Sequence, residues 1–172
     1  MKALKGNKEY KIIDENREAV GTKWYAYLKN SSRNYVDTLN KESIGEFIRL
    51  TYDKYKEVVG DKFGKSVPAI FTDEPQFAEN DIKMLSMDLK DTSIVWTHDF
   101  PETYKEEYGD DIRDFLPELI WELPNGLPSL ARYRYHQHST KRFTEAFAHQ
   151  IGKWCKENGI ILSGHMMGED SL

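Results

Sequence analysis

Two short apolar segments, each followed by polar side chains, place the strongest constraint on the fold of this chain. The first is VPAIFT at 67–72, and the second is IIL at 160–162. Apolar runs of this length with β-branched and aromatic residues are typical of buried strands. Pro75 has no backbone N–H and cannot continue a strand ladder, so the first strand should end before it. Asp73 and Glu74 therefore fall at the carboxyl end of a predicted buried strand.

The second strand leads into the segment GHMMGE at 164–169, which carries His165 and Glu169. Predicted helices lie between and around the two strands, and this alternation is typical of parallel βαβ units. In such sheets the carboxyl ends of the strands carry the active site. The sequence therefore predicts an α/β fold with a site where the two strands end.

Two helices are predicted with defined ends. Asn40 is a suitable N-cap for the first, because its side-chain oxygen can accept a hydrogen bond from an unpaired first-turn N–H. Gly60 suits the left-handed residue that ends it. The second and longest helix should run from about Pro128 to Asn158, with Gly159 as its end.

Weaker patterns suggest the remaining elements. Residues 9–13 and 24–28 read as short strands or a hairpin, and 34–37 and 94–96 as brief strands. A short helix should begin at Pro101 and stop at Gly109. Residues 76–93 are predicted to be a loop.

Composition excludes several classes of protein. The 172 residues are 39% hydrophobic and 13% aromatic, which is too apolar for a disordered chain. The net charge of −5 gives no reason to expect nucleic acid or an anionic membrane as partner. No apolar run approaches the roughly 18 residues of a membrane span. The N-terminus lacks the apolar core of a signal peptide, which predicts a cytoplasmic chain if this N-terminus is native.

The single cysteine and the absence of several motifs exclude further kinds of functional site. Cys155 is the only cysteine, so the chain has no internal disulfide and no multi-cysteine metal site. We interpret it as a buried structural thiol, because it follows Trp154 on a predicted apolar helix face. The chain has no GxGxxG, GxxxxGK[ST], GxSxG or HExxH motif. Nucleotide binding and serine-hydrolase chemistry are therefore disfavoured, and no cofactor or metal is predicted.

The strand-end acids are the first candidates for chemistry. Adjacent strand residues point to opposite faces, so only one of Asp73 and Glu74 can lie along the inner surface. A carboxylic acid in a partly apolar cleft has a raised pKa and can act as a general acid. Glu74 has the longer reach and is followed by the rigid Pro75. The structural alternative is a surface acid, or an acid that caps the next element.

Other polar residues are candidates for binding. His165 can hydrogen-bond a substrate hydroxyl or orient a carboxylate, or it can simply bind a neighbouring strand. Glu169 is a candidate acid that could equally be solvated. Trp96 and His98 could stack on a sugar and bind its hydroxyls, while the structural alternative places Trp96 in the core. Asp37 is a weaker case of the same kind.

The long helix also carries His136 and His138. Residues two apart do not share a helix face, so we expect no zinc site there and interpret both as solvated.

At TDEP the sequence resembles a known family. The segment 35–75, the stretch WTHDFPETYKEEYGDDIRDFLPEL and the final LSGHMMGED are similar, in order, to the middle of a glycoside hydrolase TIM barrel. The similarity is to bacterial glycosidases grouped near the α-L-rhamnosidases and, more distantly, to the retaining-barrel clan. It implies a carbohydrate substrate and an acid/base role for Glu74, which matches the acid before proline at the end of the fourth strand in that clan.

The resemblance predicts a partial (β/α)8 barrel over 1–172, with a strand or hairpin insertion at 1–33 and the barrel units at 34–172. A complete barrel needs about 250 residues, so we expect a fragment. The second catalytic carboxylate would then come from outside this chain, with Glu169 as the one internal candidate. Open sheet edges in a partial barrel favour self-association and loss of activity.

Three alternatives to a glycosidase remain open. One is a non-catalytic carbohydrate-binding module that uses the same aromatic side chains. Another is a structural or interaction domain in which the strand-end acids only cap helices. The third is a metal-assisted enzyme that uses Asp73, Glu74 and His165.

Overall fold

A computed structural model of the chain describes residues 2–4, 6–8, 10–13, 18–21, 26–28, 35–75, 82–84 and 94–165. Seven short strands lie in these residues: β1 (Lys2–Leu4), β2 (Tyr10–Ile13), β3 (Glu18–Gly21), β4 (Ala26–Leu28), β5 (Ala69–Asp73), β6 (Ile82–Met84) and β7 (Ile161–His165). The α-helices are α1 (Lys41–Phe47), α2 (Asp53–Val59), α3 (Phe100–Tyr108), α4 (Leu130–Phe143) and α5 (His149–Glu157).

Two π-helical segments join the helices into longer rods. Ile48–Tyr52 connects α1 to α2, and Thr144–Ala148 connects α4 to α5. No helix in the described part of the chain is long and apolar enough to span a membrane.

The chain divides into two compact units. Unit 1 comprises Met1–Arg33 and Asn80–Thr140, and unit 2 comprises Asn34–Glu79 and Lys141–Leu172. Compact units of this kind can belong to one domain, so the expectation of a single domain stays a prediction.

Unit 1 contains the antiparallel strands. β4 pairs with β1 on one side and with β6 on the other, while β2 and β3 form a separate hairpin. Its core is aromatic: Trp96 stacks on Phe100 with ring centroids 5.1 Å apart, and Tyr104 is 1% exposed. The hydroxyl of Tyr135 donates to the carbonyl oxygen of Val95 at 2.7 Å.

Unit 2 contains the parallel strands β5 and β7 with the helices α1, α2 and α5. Ile44 and Ile151 are completely buried in its core. The rings of Tyr52 and Trp154 lie 5.3 Å apart, and the indole N–H of Trp154 donates to Asp53 Oδ1 at 2.8 Å. This hydrogen bond satisfies the one polar atom of a buried indole.

Local end signals decide where the helices stop and start. The Asn40 side chain accepts from the backbone N–H of Ser43 at 2.8 Å, which confirms the predicted N-cap. Gly109 and Gly159 lie at helix ends as predicted, and both have the left-handed conformation common there, with φ of 80° and 68°. Gly60 does not, because its φ of −60° continues the helical path into a 3-10 turn, Gly60–Lys62.

The prediction of a partial TIM barrel is wrong. β5 and β7 do pair in parallel, but they form a sheet of two strands. The other described strands pair antiparallel, and all of them belong to unit 1. The segment between β5 and β7 also contributes β6 and α3 to unit 1. In a barrel, this segment would instead pack against the parallel sheet. The described part of the chain is therefore a mixed α/β structure.

Several smaller expectations also need correction. β3 lies inside the segment 14–23 that separated the two predicted N-terminal strands, and β6 lies inside the predicted loop 76–93. The described residues 35–37 and 94–96 do not form strands. Residues 24 and 25 of the predicted strand 24–28 lie outside the described residues.

Candidate functional site

The parallel pair in unit 2 brings predicted site residues together. Asp73 is the register partner of His165 at the carboxyl ends of β5 and β7. The ladder continues one residue further, because the backbone N–H of Glu74 donates to the carbonyl oxygen of His165 at 3.2 Å. Asp73, Glu74 and His165 therefore form one strand-end cluster, as the topological argument predicts.

Asp73 and His165 also interact through their side chains. Asp73 Oδ1 lies 3.6 Å from His165 Nδ1, and the two side chains are 76% and 62% exposed. A carboxylate–imidazole contact this exposed contributes little to stability. The arrangement instead presents a carboxylate and an imidazole side by side to solvent, where both can bind the hydroxyl groups of a ligand.

Phe71 extends the cluster along the same face of the sheet. Side chains on a strand alternate, so Phe71 and Asp73 point to one face. The Phe71 ring meets the His165 ring edge-on with centroids 5.2 Å apart, and Phe71 is 58% exposed. The prediction that this strand is buried is wrong, because no residue of β5 is buried, and the sequence analysis did not single out Phe71. The sequence does contain a signal for Phe71. It lies two residues before Asp73 on the same strand, so the two side chains share a face.

Glu74 has an unusual backbone conformation. Its φ of 44° makes it the one non-glycine residue with positive φ among the described residues. The left-handed region costs an L-residue about 1–2 kcal/mol. A residue before proline normally adopts extended backbone, so Pro75 adds to the strain. Strained residues cluster at functional sites, and the strain at Glu74 therefore supports a functional interpretation.

The remaining predicted site residues lie elsewhere. The Asp37 side chain in unit 2 accepts from the backbone N–H of Leu39 at 3.0 Å in the turn before α1. Trp96 and His98 belong to unit 1, where His98 is exposed and Trp96 is 1% exposed in the aromatic core. Trp96 is therefore a core residue, as the structural alternative predicts. Glu169 lies outside the described residues.

Sequence reasoning missed a buried polar network around His138 in unit 1. His138 is 3% exposed, not solvated as predicted. Its Nδ1 lies 2.9 Å from Glu107 Oε2, and its Nε2 lies 3.0 Å from Thr103 Oγ1. The ring packs edge-on against Phe100 at 4.9 Å. Buried polar groups need such partners, and the enclosure of the ring by α3 indicates a structural role.

The described residues contain no group of three or more His, Cys, Asp or Glu side chains that could hold a metal ion. Structural and catalytic zinc sites use three or four protein ligands.

Comparisons with known proteins add no family assignment. No protein-family model matches the sequence, no curated protein matches it, and no solved structure matches the fold. The resemblance to glycoside hydrolases therefore stays a prediction.

Proposed function

We propose that the strand-end cluster binds a carbohydrate and that Glu74 acts there as the general acid/base of a glycoside hydrolase. The observation that carries this proposal is the parallel register, which sets Asp73 beside His165 and joins Glu74 to the same strand end. The resemblance of TDEP to the acid-proline end of a glycosidase strand adds to it.

The proposed chemistry assigns a role to each group. The Glu74 carboxylic acid would protonate the departing glycosidic oxygen, while Asp73 and His165 hydrogen-bond the sugar hydroxyls. A glycosidase also needs a second carboxylate, at about 5–5.5 Å from the acid for retention or about 6.5–9.5 Å for inversion. Glu169 is the candidate within this sequence for that second carboxylate.

The backbone strain at Glu74 fits an acid held in a fixed direction. The hydrogen bond from Glu74 N–H to His165 and the ring of Pro75 restrain the residue on both sides. Glu74 is exposed. The proposed acid role therefore requires bound substrate to exclude water from the carboxyl group.

A second candidate function is non-catalytic carbohydrate binding at the same cluster. The exposed ring of Phe71 beside Asp73 and His165 favours it. An aromatic face next to hydrogen-bonding side chains is a suitable surface for the C–H face and hydroxyls of a sugar. This function needs no second carboxylate.

Glu74→Gln tests the acid role. We expect the variant to lose about 100-fold or more in kcat/KM on glycosides with alkyl leaving groups. The loss should be much smaller on dinitrophenyl glycosides, whose leaving groups need no proton. A panel that includes the α-L-rhamnosides should be measured, with Glu57→Gln as the control, since Glu57 is an exposed acid of α2 in the same unit.

Three outcomes separate the functions. Equal losses on both kinds of leaving group would contradict the acid role of Glu74. Sugar binding that survives Glu74→Gln but not Phe71→Ala, without turnover, would establish the binding module. Neither binding nor turnover on the whole panel would reject both and leave a structural or interaction domain.

A further inference from the structure

An apolar strip adjoins the strand-end cluster on the same face of the parallel sheet. Alternate residues of a strand share a face, so Ala69 and Phe71 of β5 lie on the face of Asp73, and Ile161 of β7 lies on the face of His165. The register sets Ile161 directly beside Ala69. These three residues, Ala69, Phe71 and Ile161, are the apolar strip.

The apolar strip is open to solvent. Leu162, on the opposite face of β7, lies against α5, where a Cβ atom at Gly152 would be 3.9 Å from Leu162 Cδ2. Phe71 and Ile161 are instead 58% and 66% exposed. Exposed apolar side chains that adjoin one another and are flanked by polar groups are typical of binding surfaces.

The size of the face suits a small ligand. Each of the two strands contributes three side chains to it, whereas a stable protein interface takes about 20–30 residues a side. The face is about 13 Å long from residue 73 to residue 69, and the two strands are about 4.8 Å apart. These dimensions fit one hydrocarbon chain that runs along the strands, and a fused ring system would be wider than the strand pair.

The polar groups of this face lie mainly at one end. Asp73 and His165 are at the strand ends, and Ser163 has the one hydroxyl among the six side chains of the face. A second sugar on the strip would leave several hydroxyl groups without partners, which disfavours an oligosaccharide. A single sugar at the strand ends, joined to a hydrocarbon chain on the strip, matches both parts of the face.

We propose that the substrate is a glycoside with an alkyl aglycone, whose sugar binds Asp73 and His165 and whose chain lies on Phe71 and Ile161. This inference rests on the proposed function, because it assigns both ends of the substrate to the same site. Hydrolysis breaks the bond between the anomeric carbon and the aglycone oxygen. The Glu74 proton passes to that oxygen, so the chain leaves as a primary alcohol. Water supplies the new hydroxyl of the sugar and returns a proton to the protein.

Turnover of a homologous series by the full chain tests the proposal. The probes are methyl, butyl and hexyl α-L-rhamnosides, with the matching β-D-glucosides as a second series. The three alcohols differ little in acidity, so the series reports contact with the chain and not the reactivity of the leaving group. Each added methylene should raise kcat/KM about twofold, which is less than full burial gives because one side of the chain stays in water. The hexyl glycoside should therefore exceed the methyl glycoside about 30-fold.

Binding is measured separately by ¹H–¹⁵N NMR titration, so that it does not depend on turnover. The hexyl glycoside should shift the amide signals of β5 and β7, with a Kd of about 1 mM or tighter. Hexanol has the chain without the sugar. It should bind at least about tenfold more weakly, because it makes fewer hydrogen bonds at the strand ends.

Ile161→Thr locates the chain. Threonine keeps a β-branched side chain that suits a strand and replaces apolar carbon with a hydroxyl. Ile161 is exposed, so the variant should keep the fold. We expect the hexyl-to-methyl ratio of kcat/KM to fall at least about threefold. Val58→Thr is the matched control, because Val58 is an exposed apolar residue of α2 in the same unit, and its variant should leave the ratio unchanged.

The outcomes separate this inference from the proposed function. Turnover that is independent of chain length would reject the alkyl aglycone and leave the glycosidase standing. A ratio that Ile161→Thr and Val58→Thr lower equally would reject the location. Hexyl glycosides that bind through Ile161 without being hydrolysed would confirm the chain site and reject the hydrolase. Absence of binding of both hexyl glycosides at about 10 mM, ten times the expected Kd, would reject the inference.

Discussion

Gly164 and Thr72 are register partners in the parallel pair, and their backbones approach so closely that a Cβ atom at position 164 would overlap the Thr72 carbonyl oxygen. The same Cβ atom would lie 2.6 Å from Thr72 Oγ1. Gly164 also has a φ of 155°, which L-residues rarely adopt. The strand end that brings Asp73 to His165 therefore depends on the glycine directly before His165.

Gly164→Ala should destabilise unit 2. We expect a loss of about 2–3 kcal/mol in the free energy of unfolding, since the overlap involves backbone that cannot move aside cheaply. Gly109→Ala is the control, because Gly109 has a φ of 80° but open space around its Cβ position, and it should lose only about 1 kcal/mol. Urea unfolding gives both values, and hydrogen exchange of the β5 and β7 amides gives the local effect. Equal losses of stability in the two variants would contradict the inference that the Thr72 backbone leaves no room for a Cβ atom at position 164.

His138→Ala should destabilise unit 1 by about 2–4 kcal/mol. The change removes a buried ring and leaves Glu107 and Thr103 without its nitrogen atoms, so packing and hydrogen bonding are lost together. His136→Ala is a matched control on the same helix, because His136 is exposed and its loss should stay within about 0.5 kcal/mol. Similar unfolding midpoints in urea for the two variants would reject a structural role for the His138 network.

Elements with strong local signals could be predicted from the sequence. Each of these signals depends only on residues a few positions away in the sequence. They are the Asn40 cap, the left-handed Gly109 and Gly159, and the apolar run of β5. The Gly60 prediction failed because the capping signal of a glycine competes with continued helical backbone, and nothing local decides between them.

The architecture could not be predicted, because strand pairing depends on distant segments. The apolar runs correctly indicated a parallel β5–β7 pair. The resemblance then extended that pair to a barrel. Strands of three residues such as β6 carry too little pattern to reveal an antiparallel partner such as β4.

The strand-end cluster could be predicted, and the His138 network could not. Parallel register alone brings Asp73 and His165 together once both strands are identified. Burial of His138 depends on α3, which lies some thirty residues earlier in the sequence. Spacing on one helix says which residues share a face, but not which face another helix will cover.

Cys155 should react slowly with thiol reagents in the folded protein. It is 1% exposed, and burial raises the pKa of its thiol above the usual value. The thiolate is the reactive form, so at pH 8 the native chain has less of it as well as poorer access. We expect labelling by DTNB at least about 100-fold slower in buffer than in 6 M guanidinium chloride, where the thiol is exposed and its pKa is no longer raised by burial. Equal labelling rates would show that unit 2 opens around α5 under native conditions.

Glu74→Gly should stabilise the chain while it removes the proposed acid. Glycine adopts the observed φ of 44° without the steric cost that glutamate bears, so relief of strain outweighs the larger entropy of the unfolded chain. We expect a gain of roughly 0.5–1 kcal/mol in the free energy of unfolding, which is a strain of about 1–2 kcal/mol less an entropy cost of about 0.5–1 kcal/mol for glycine. Glu57→Gly in α2 is the control and should lose about 1 kcal/mol, because glycine is unfavourable inside a helix. A loss of stability in Glu74→Gly as large as that of the control would show that Glu74 is unstrained and would remove the conformational support for its functional role.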